Sequence, residues 1–152
     1  MARGLGVVCT KEEVLLAVAS EGSLVHNDHE KLMTAAVLEE TERLQAMQAD
    51  IERTLVEVRP DQVRILMPEQ TYKDSYARIA PRVTLETLVR LACVRAGIPV
   101  EMLNRTSARS RLGVPRKGKL EDLMSAVTEP VGKYWKAGRS LAAAAALAEE
   151  QT

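Results

Sequence analysis

Apolar positions along the chain follow two different periods. Leu5, Val7 and Cys9 alternate with Gly6 and Val8 over Leu5 to Thr10, the two-residue repeat of a strand. A polar connection, Thr10-Lys11-Glu12-Glu13, leads to a second apolar run from Val14 to Ala19. Glu21-Gly22-Ser23 then turns the chain into a short third segment, Leu24-Val25-His26. Three strands at this spacing predict an antiparallel meander. The period changes after them. Leu44, Met47, Ile51, Leu55 and Val58 recur at steps of three and four, which predicts a long helix starting between Met33 and Thr41 and ended by Pro60. Val63 to Met67 is a compact apolar run suited to a buried strand. Thr84 as N-cap, with Glu86 in the first turn, predicts a second helix that buries Leu85, Leu88, Ala92 and Ala96 and stops at Gly97. Pro99 to Leu103 reads as another strand. A basic loop follows, then a helix from about Lys119 to Val127 with Leu120, Leu123, Met124 and Val127 on one face. Pro130 and Gly132 separate it from an alanine-rich helix over Lys133 to Glu149.

A meander that feeds strand–helix–strand units makes an α/β fold: a mixed five-stranded sheet with helices on both faces. The 152 residues carry no internal repeat and no sign of a second unit, so residues 1–152 are expected to form one domain. With 46% hydrophobic and 28% charged residues the composition is that of a globular protein. No apolar run approaches the ~20 residues that cross a bilayer, and Met1-Ala2-Arg3 leads into the first strand without a secretory apolar region. Cys9 and Cys93 each fall inside a regular element, without metal-ligand spacing. That usage fits a reduced, cytoplasmic compartment, excludes a disulfide framework or zinc ribbon, and makes both thiols small core residues rather than nucleophiles.

A net charge of zero conceals an asymmetry, −6 over residues 1–76 and +6 over residues 77–152. The basic half has a focus in Arg105, Arg109, Arg111, Arg116, Lys117 and Lys119, with no acid between Glu101 and Glu121. Such a segment meets a DNA or RNA backbone, an acidic partner protein, or the acidic half of a second copy in a homodimer. Base stacking is not expected there, because Tyr72, Tyr76, Tyr134 and Trp135 all lie outside the segment. His26, Asp28, His29 and Glu30 place four candidate metal ligands within five residues, although the run also has the composition of an ordinary turn. Tyr72, Tyr76 and Arg78 follow the Val63–Met67 strand, where α/β sheets bind ligands, or simply pack against the next helix. Gly113 to Lys119 lacks the spacing of a nucleotide-binding phosphate loop, which leaves only Gly118 and Lys119 at a helix start as an anion site.

Several short stretches share a family likeness. Arg59-Pro60-Asp61-Gln62-Val63 leads into the fourth strand, Glu69-Gln70-Thr71-Tyr72 follows it, and Gly97-Ile98-Pro99-Val100 turns into the fifth. Together with Thr106, Leu112-Gly113 and Gly118-Lys119-Leu120, these resemble the ribonuclease H-like superfamily, in its RuvC-like Holliday-junction resolvase branch. That resemblance implies an active site in which three or four carboxylates hold two divalent metals about 4 Å apart. The family's first acid lies in the middle of strand one, where this chain reads Gly6-Val7-Val8-Cys9-Thr10. Its last acids lie at the start of the final helix, where this chain reads Tyr134-Trp135-Lys136-Ala137-Gly138-Arg139-Ser140. Glu69 alone matches a catalytic acid, as a vestigial candidate. The resemblance therefore implies a degenerate member that binds nucleic acid or serves as a scaffold, with no metal or other cofactor expected. A protein-interaction module without a nucleic-acid role is the alternative. A divergent Mg2+- or Mn2+-dependent nuclease, with Asp74 and Asp122 helping Glu69, is the third reading.

Overall fold

β1 (Arg3–Cys9) is the central strand of the sheet, and the sequence around it fixes both of its neighbours. Thr10 accepts the Glu13 N–H on its hydroxyl at 3.1 Å, and the tight connection folds β2 (Glu13–Ser20) back antiparallel along the whole of β1. β3 (Ser23–Val25) continues the meander on the far side of β2. On the other side of β1 run two parallel strands, β5 (Gln62–Leu66) and then β6 (Val100–Leu103). The expected five strands are joined by a sixth, β4 (Lys31–Met33), so the strand count is corrected. β3 occupies only half of the edge of β2. β4 takes the other half, pairing Leu32 with Val14, and Leu16 donates its N–H to the Glu30 carbonyl at 2.9 Å between them. This computed structural model describes residues 2–69 and 74–150.

One face of the sheet is covered by two helices. α1 (Glu40–Val58) begins with Glu40 and Glu42 in its first turn, where acids suit the helix dipole, and buries Met47, Ile51, Leu55 and Val58 as the periodicity predicts. α2 (Tyr76–Ala96) starts eight residues before the Thr84 expected as its cap. The Thr84 hydroxyl instead donates to the Ala80 carbonyl at 2.8 Å inside the helix, and Pro81 is absorbed in the second turn. Gly97 ends α2 at φ 72°, as expected. Leu85, Val89, Ala92 and Cys93 pack against Leu5, Val7, Val63 and Ile65. Ala96, expected inside, is exposed.

The opposite face is covered by α5 (Ser140–Leu147). The predicted helix over 133–149 is shorter, because residues Trp135–Arg139 form a wide turn broken at Gly138, whose φ of 120° is not helical. Ala142 to Ala146 are all 0% exposed, so the alanine run is core rather than filler. Small side chains on both sides let helix and strand touch: a Cβ on Gly6 would lie 1.9 Å from the Ala142 carbonyl oxygen. Arg64, buried on this face, donates to the Ala145 and Ala146 carbonyls at 3.3 and 3.0 Å. A guanidinium at a helix C-terminus also suits the dipole, although burial holds its pKa below the ordinary arginine value. No helix among the described residues is long and apolar enough to cross a membrane.

Candidate nucleic-acid interface

Asn104 follows β6 and caps α3 (Arg105–Leu112), its side-chain oxygen accepting the Ser107 N–H at 2.8 Å. Gly113, at φ 69°, closes the helix. The segment expected as an irregular basic loop is thus helical in its first half, and the helix divides its six cations into two sets.

Three arginines are turned inward. Arg105 donates from Nε to the Met67 carbonyl at 3.3 Å and pairs with Glu121 at 3.3 Å. Arg109, one helical turn later, has a side chain only 6% exposed. Its Nη1 donates to the Pro115 carbonyl at 2.9 Å and its Nη2 to the Gly118 carbonyl at 2.6 Å, while Glu69 stands 3.7 Å from Nη2. Arg111 grips both oxygens of Glu101, at 2.6 and 3.1 Å, and also donates to the Ala148 carbonyl at 3.2 Å. The Arg111 fork holds the Glu101 carboxyl below its ordinary pKa, and Glu101 raises that of Arg111. Arg105, Arg109 and Arg111, read from the sequence as nucleic-acid backbone contacts, are engaged by carbonyls and carboxylates of the chain itself. Arg116, Lys117 and Lys119 are the outward set. All three are exposed on the connection 114–119 and form no ion pair among the described residues. The sequence held the signal for this division. Glu101 and Glu121, the acids that bound the basic stretch, are the two that neutralise Arg111 and Arg105.

The connection ends at α4 (Leu120–Leu123), which passes into a 3-10 turn at Met124–Ala126. The helix expected over 119–127 is therefore a single α turn, too short to present an anion site at its start.

The carboxylates can be tested against a two-metal centre. Gly6 and Val8 face α5, and Val7 and Cys9 face α2, so strand one offers no ligand on either side. At the start of the last helix Lys136 is exposed and Arg139 is 1% exposed. The Arg139 guanidinium points to the β2 side, donating to the Leu16 and Lys133 carbonyls at 2.8 and 2.9 Å and to that of Val131, with Glu30 4.0 Å away. Burial lowers its pKa and Glu30 opposes that fall. Glu69 is 64% exposed beyond Pro68, Asp74 pairs with Arg78, and Asp122 lies on α4. Among the described residues no three His, Cys, Asp or Glu side chains converge. This donor set does not fit a pair of divalent metals.

The remaining candidates disperse. His29 pairs with Glu57 of α1, Glu30 turns toward the Lys133 N–H and Arg139, and only His26 and Asp28 stay together, 3.6 Å apart and exposed. Tyr76 and Arg78 are exposed at the start of α2, and Tyr72 lies outside the described residues. Cys9 and Cys93 are buried; burial pushes the Cys93 thiol up to about 11 and that of Cys9 further. Neither is poised as a nucleophile.

No protein-family model and no curated protein matches the sequence. Solved structures do. Thermus thermophilus RuvC in complex with a Holliday junction substrate is 18% identical with a TM-score of 0.76, over 97% of this chain and 92% of that one. A second structure of the Thermus protein is 20% identical with a TM-score of 0.75, covering 96% and 92%. The yeast mitochondrial Holliday junction resolvase is 15% identical with a TM-score of 0.61, over 97% of this chain and 77% of that one. The chain therefore has the ribonuclease H-like fold in the form it takes in RuvC resolvases.

Proposed function

We propose that this protein binds nucleic-acid backbones through Arg116, Lys117 and Lys119 and does not cleave them. The observation that carries the reading is the division of the basic segment: three cations serve the fold, and three stand exposed on one short connection. Arg109 ties that connection to Glu69, just beyond the carboxyl end of β5, the edge at which open α/β sheets bind ligands. The lack of cleavage is supported by residues 6–10 in strand one and residues 134–140 at the last helix, neither of which holds a carboxylate where the resolvase likeness calls for acids. The fold neighbour captured with a Holliday junction supports a four-way junction as the ligand to try first. Contacts of this kind read the backbone and not the sequence.

The test is a titration of labelled four-way junction, duplex and single-stranded DNA across a salt series, with and without Mg2+ or Mn2+. Binding is expected to weaken steeply with salt, and Mg2+ is expected to weaken it further as a competing counterion. Replacing Arg116, Lys117 and Lys119 together by Ala should lower the slope of log affinity against log salt by about 2.7 on duplex, at about 0.9 per phosphate contact. An unchanged slope rejects this surface. Metal-dependent cleavage that disappears in Glu69→Gln would restore the nuclease reading.

One observation favours a second reading, self-association. α2 exposes Val83, Leu91 and Val94, and beside it lies a groove of about 260 Å³ whose lining includes Val56, Glu52 and Arg95. Glu52 and Arg95 already pair with each other at 3.1 Å across α1 and α2, so the apolar positions are what a second copy would cover. No binding in the titration, together with a salt-sensitive dimer by light scattering, would favour it.

A further inference from the structure

The connection between α3 and α4 is held at its ends by backbone and in its middle by one side chain. The Val114 N–H donates to the Arg109 carbonyl at 3.1 Å, and the Lys119 carbonyl accepts from Asp122 and Leu123 at 3.1 and 3.2 Å. Between these points, among the described residues, the only hydrogen bonds to residues 115–118 come from the Arg109 guanidinium, to the Pro115 and Gly118 carbonyls. Those two carbonyls flank Arg116 and Lys117, whose like charges repel each other and whose chain would otherwise be free to spread. A planar fork whose two ends reach different acceptors fixes distance and direction together, which a point charge does not.

From this geometry we infer that Arg109 is a positioning residue. It holds the 115–118 turn so that Arg116, Lys117 and Lys119 present one fixed cationic surface, with Glu69 serving as its counter-ion rather than as a metal ligand. The inference deepens the nucleic-acid reading and rests on it for its functional consequence, but the positioning itself can be measured without any ligand. A preformed surface binds more tightly because the connection is not ordered at the moment of binding.

Trypsin cleavage after Arg116 and Lys117, and hydrogen exchange of the peptide spanning 114–119, report on the turn directly. Both are to be compared in the wild-type protein, Arg109→Met and Arg109→Lys, with circular dichroism confirming the folded state. Cleavage is expected to accelerate by tenfold or so in Arg109→Met and to stay fast in Arg109→Lys, because a single ammonium does not replace the fork. If the Met variant does not fold, the Lys variant decides the matter. Junction affinity should fall on the order of tenfold in both variants with the salt slope unchanged, since the three phosphate contacts survive but must be ordered on binding. Glu69→Gln should leave the turn protected and raise affinity about twofold by removing a negative charge near the phosphate path. Unchanged protection in both Arg109 variants overturns the positioning role. A slope lowered by about one with the turn still protected makes Arg109 a direct phosphate contact instead. Affinity lost in Glu69→Gln overturns the counter-ion assignment. If the wild-type protein binds no nucleic acid, the proposed function falls, while cleavage and exchange still decide what Arg109 holds.

Discussion

Gly6→Ala tests the contact that seats α5 on β1. β1 is bounded on both sides by other strands and cannot shift within the sheet. The added methyl would lie 1.9 Å from the Ala142 carbonyl oxygen and 2.4 Å from the Ala146 nitrogen. Both are backbone atoms of α5, so no side chain can swing aside. An ordinary contact needs more than 3 Å or so, and α5 would have to retreat by about 1 Å or more. It is anchored against that movement at both ends, by Arg139 on the Leu16 carbonyl and by Arg64 on the Ala145 and Ala146 carbonyls. Overpacking a core costs about 1–3 kcal/mol, and a clash with anchored backbone belongs at the top of that range, about 3 kcal/mol. For a chain of this length the midpoint of thermal unfolding should fall by about 6–12 °C. Urea denaturation followed by circular dichroism measures the loss. Gly22→Ala is the control, because no atom lies within 4 Å of its added methyl and only its φ of +80° is penalised. It should cost about 1–2 kcal/mol. A Gly6→Ala loss below about 1 kcal/mol, or below that of the control, would refute the seating of α5 on β1.

Two further outcomes follow from charge and burial. Arg111→Met should cost about 2 kcal/mol at neutral pH, because a two-point pair with Glu101 and a bond to the Ala148 carbonyl are lost together. Glu101 has a depressed pKa in the folded state, so the pair's contribution is present above the ordinary carboxylate range and is lost as pH falls through the depressed value. The gap in stability between wild type and variant should therefore narrow in acid, and urea titrations at a series of pH values would show a constant gap if the pairing argument is wrong. Cys93, with its thiol pushed up to about 11, and Cys9, pushed further, should not react with an aromatic disulfide reagent at pH 8 until the chain is unfolded. Rapid reaction of either thiol in the native protein would contradict their burial.

Five of the strands were legible as alternating or continuous apolar runs, and α1 as a stripe from Leu44 to Val58. Gly97 marked the end of α2 for a local reason, the left-handed turn that a glycine adopts without strain. Three features were less legible. α3 has almost no apolar period, because arginine stems line part of its inner face, and only Asn104 and Gly113 mark its ends. β4 exists because β3 is too short to cover the edge of β2, a fact about the partner strand and not about Lys31–Met33. The wide turn at Trp135–Arg139 depends on the close approach of Gly138 to Leu15, which sequence spacing does not show. At the candidate interface, charge density marked a segment but not which of its cations the chain itself engages, because that depends on carboxylates and carbonyls brought in from β6, α4 and residue 148.

The same edge of the fold can meet a phosphate in two physically opposed ways. A carboxylate cluster repels the backbone until divalent cations neutralise it, so binding and cleavage are both governed by the metal. Here residues 6–10 and 134–140 hold no carboxylate, and Glu69 stands 3.7 Å from the Arg109 guanidinium. Two of the cations are also parts of the scaffold: Arg139 joins the last helix to β2, and Arg109 joins the connection 114–119 to α3. Placing an acid at position 139 would accordingly remove three carbonyl bonds. On this argument Arg139→Asp destabilises the chain, and a lowered midpoint of thermal unfolding is the expected outcome.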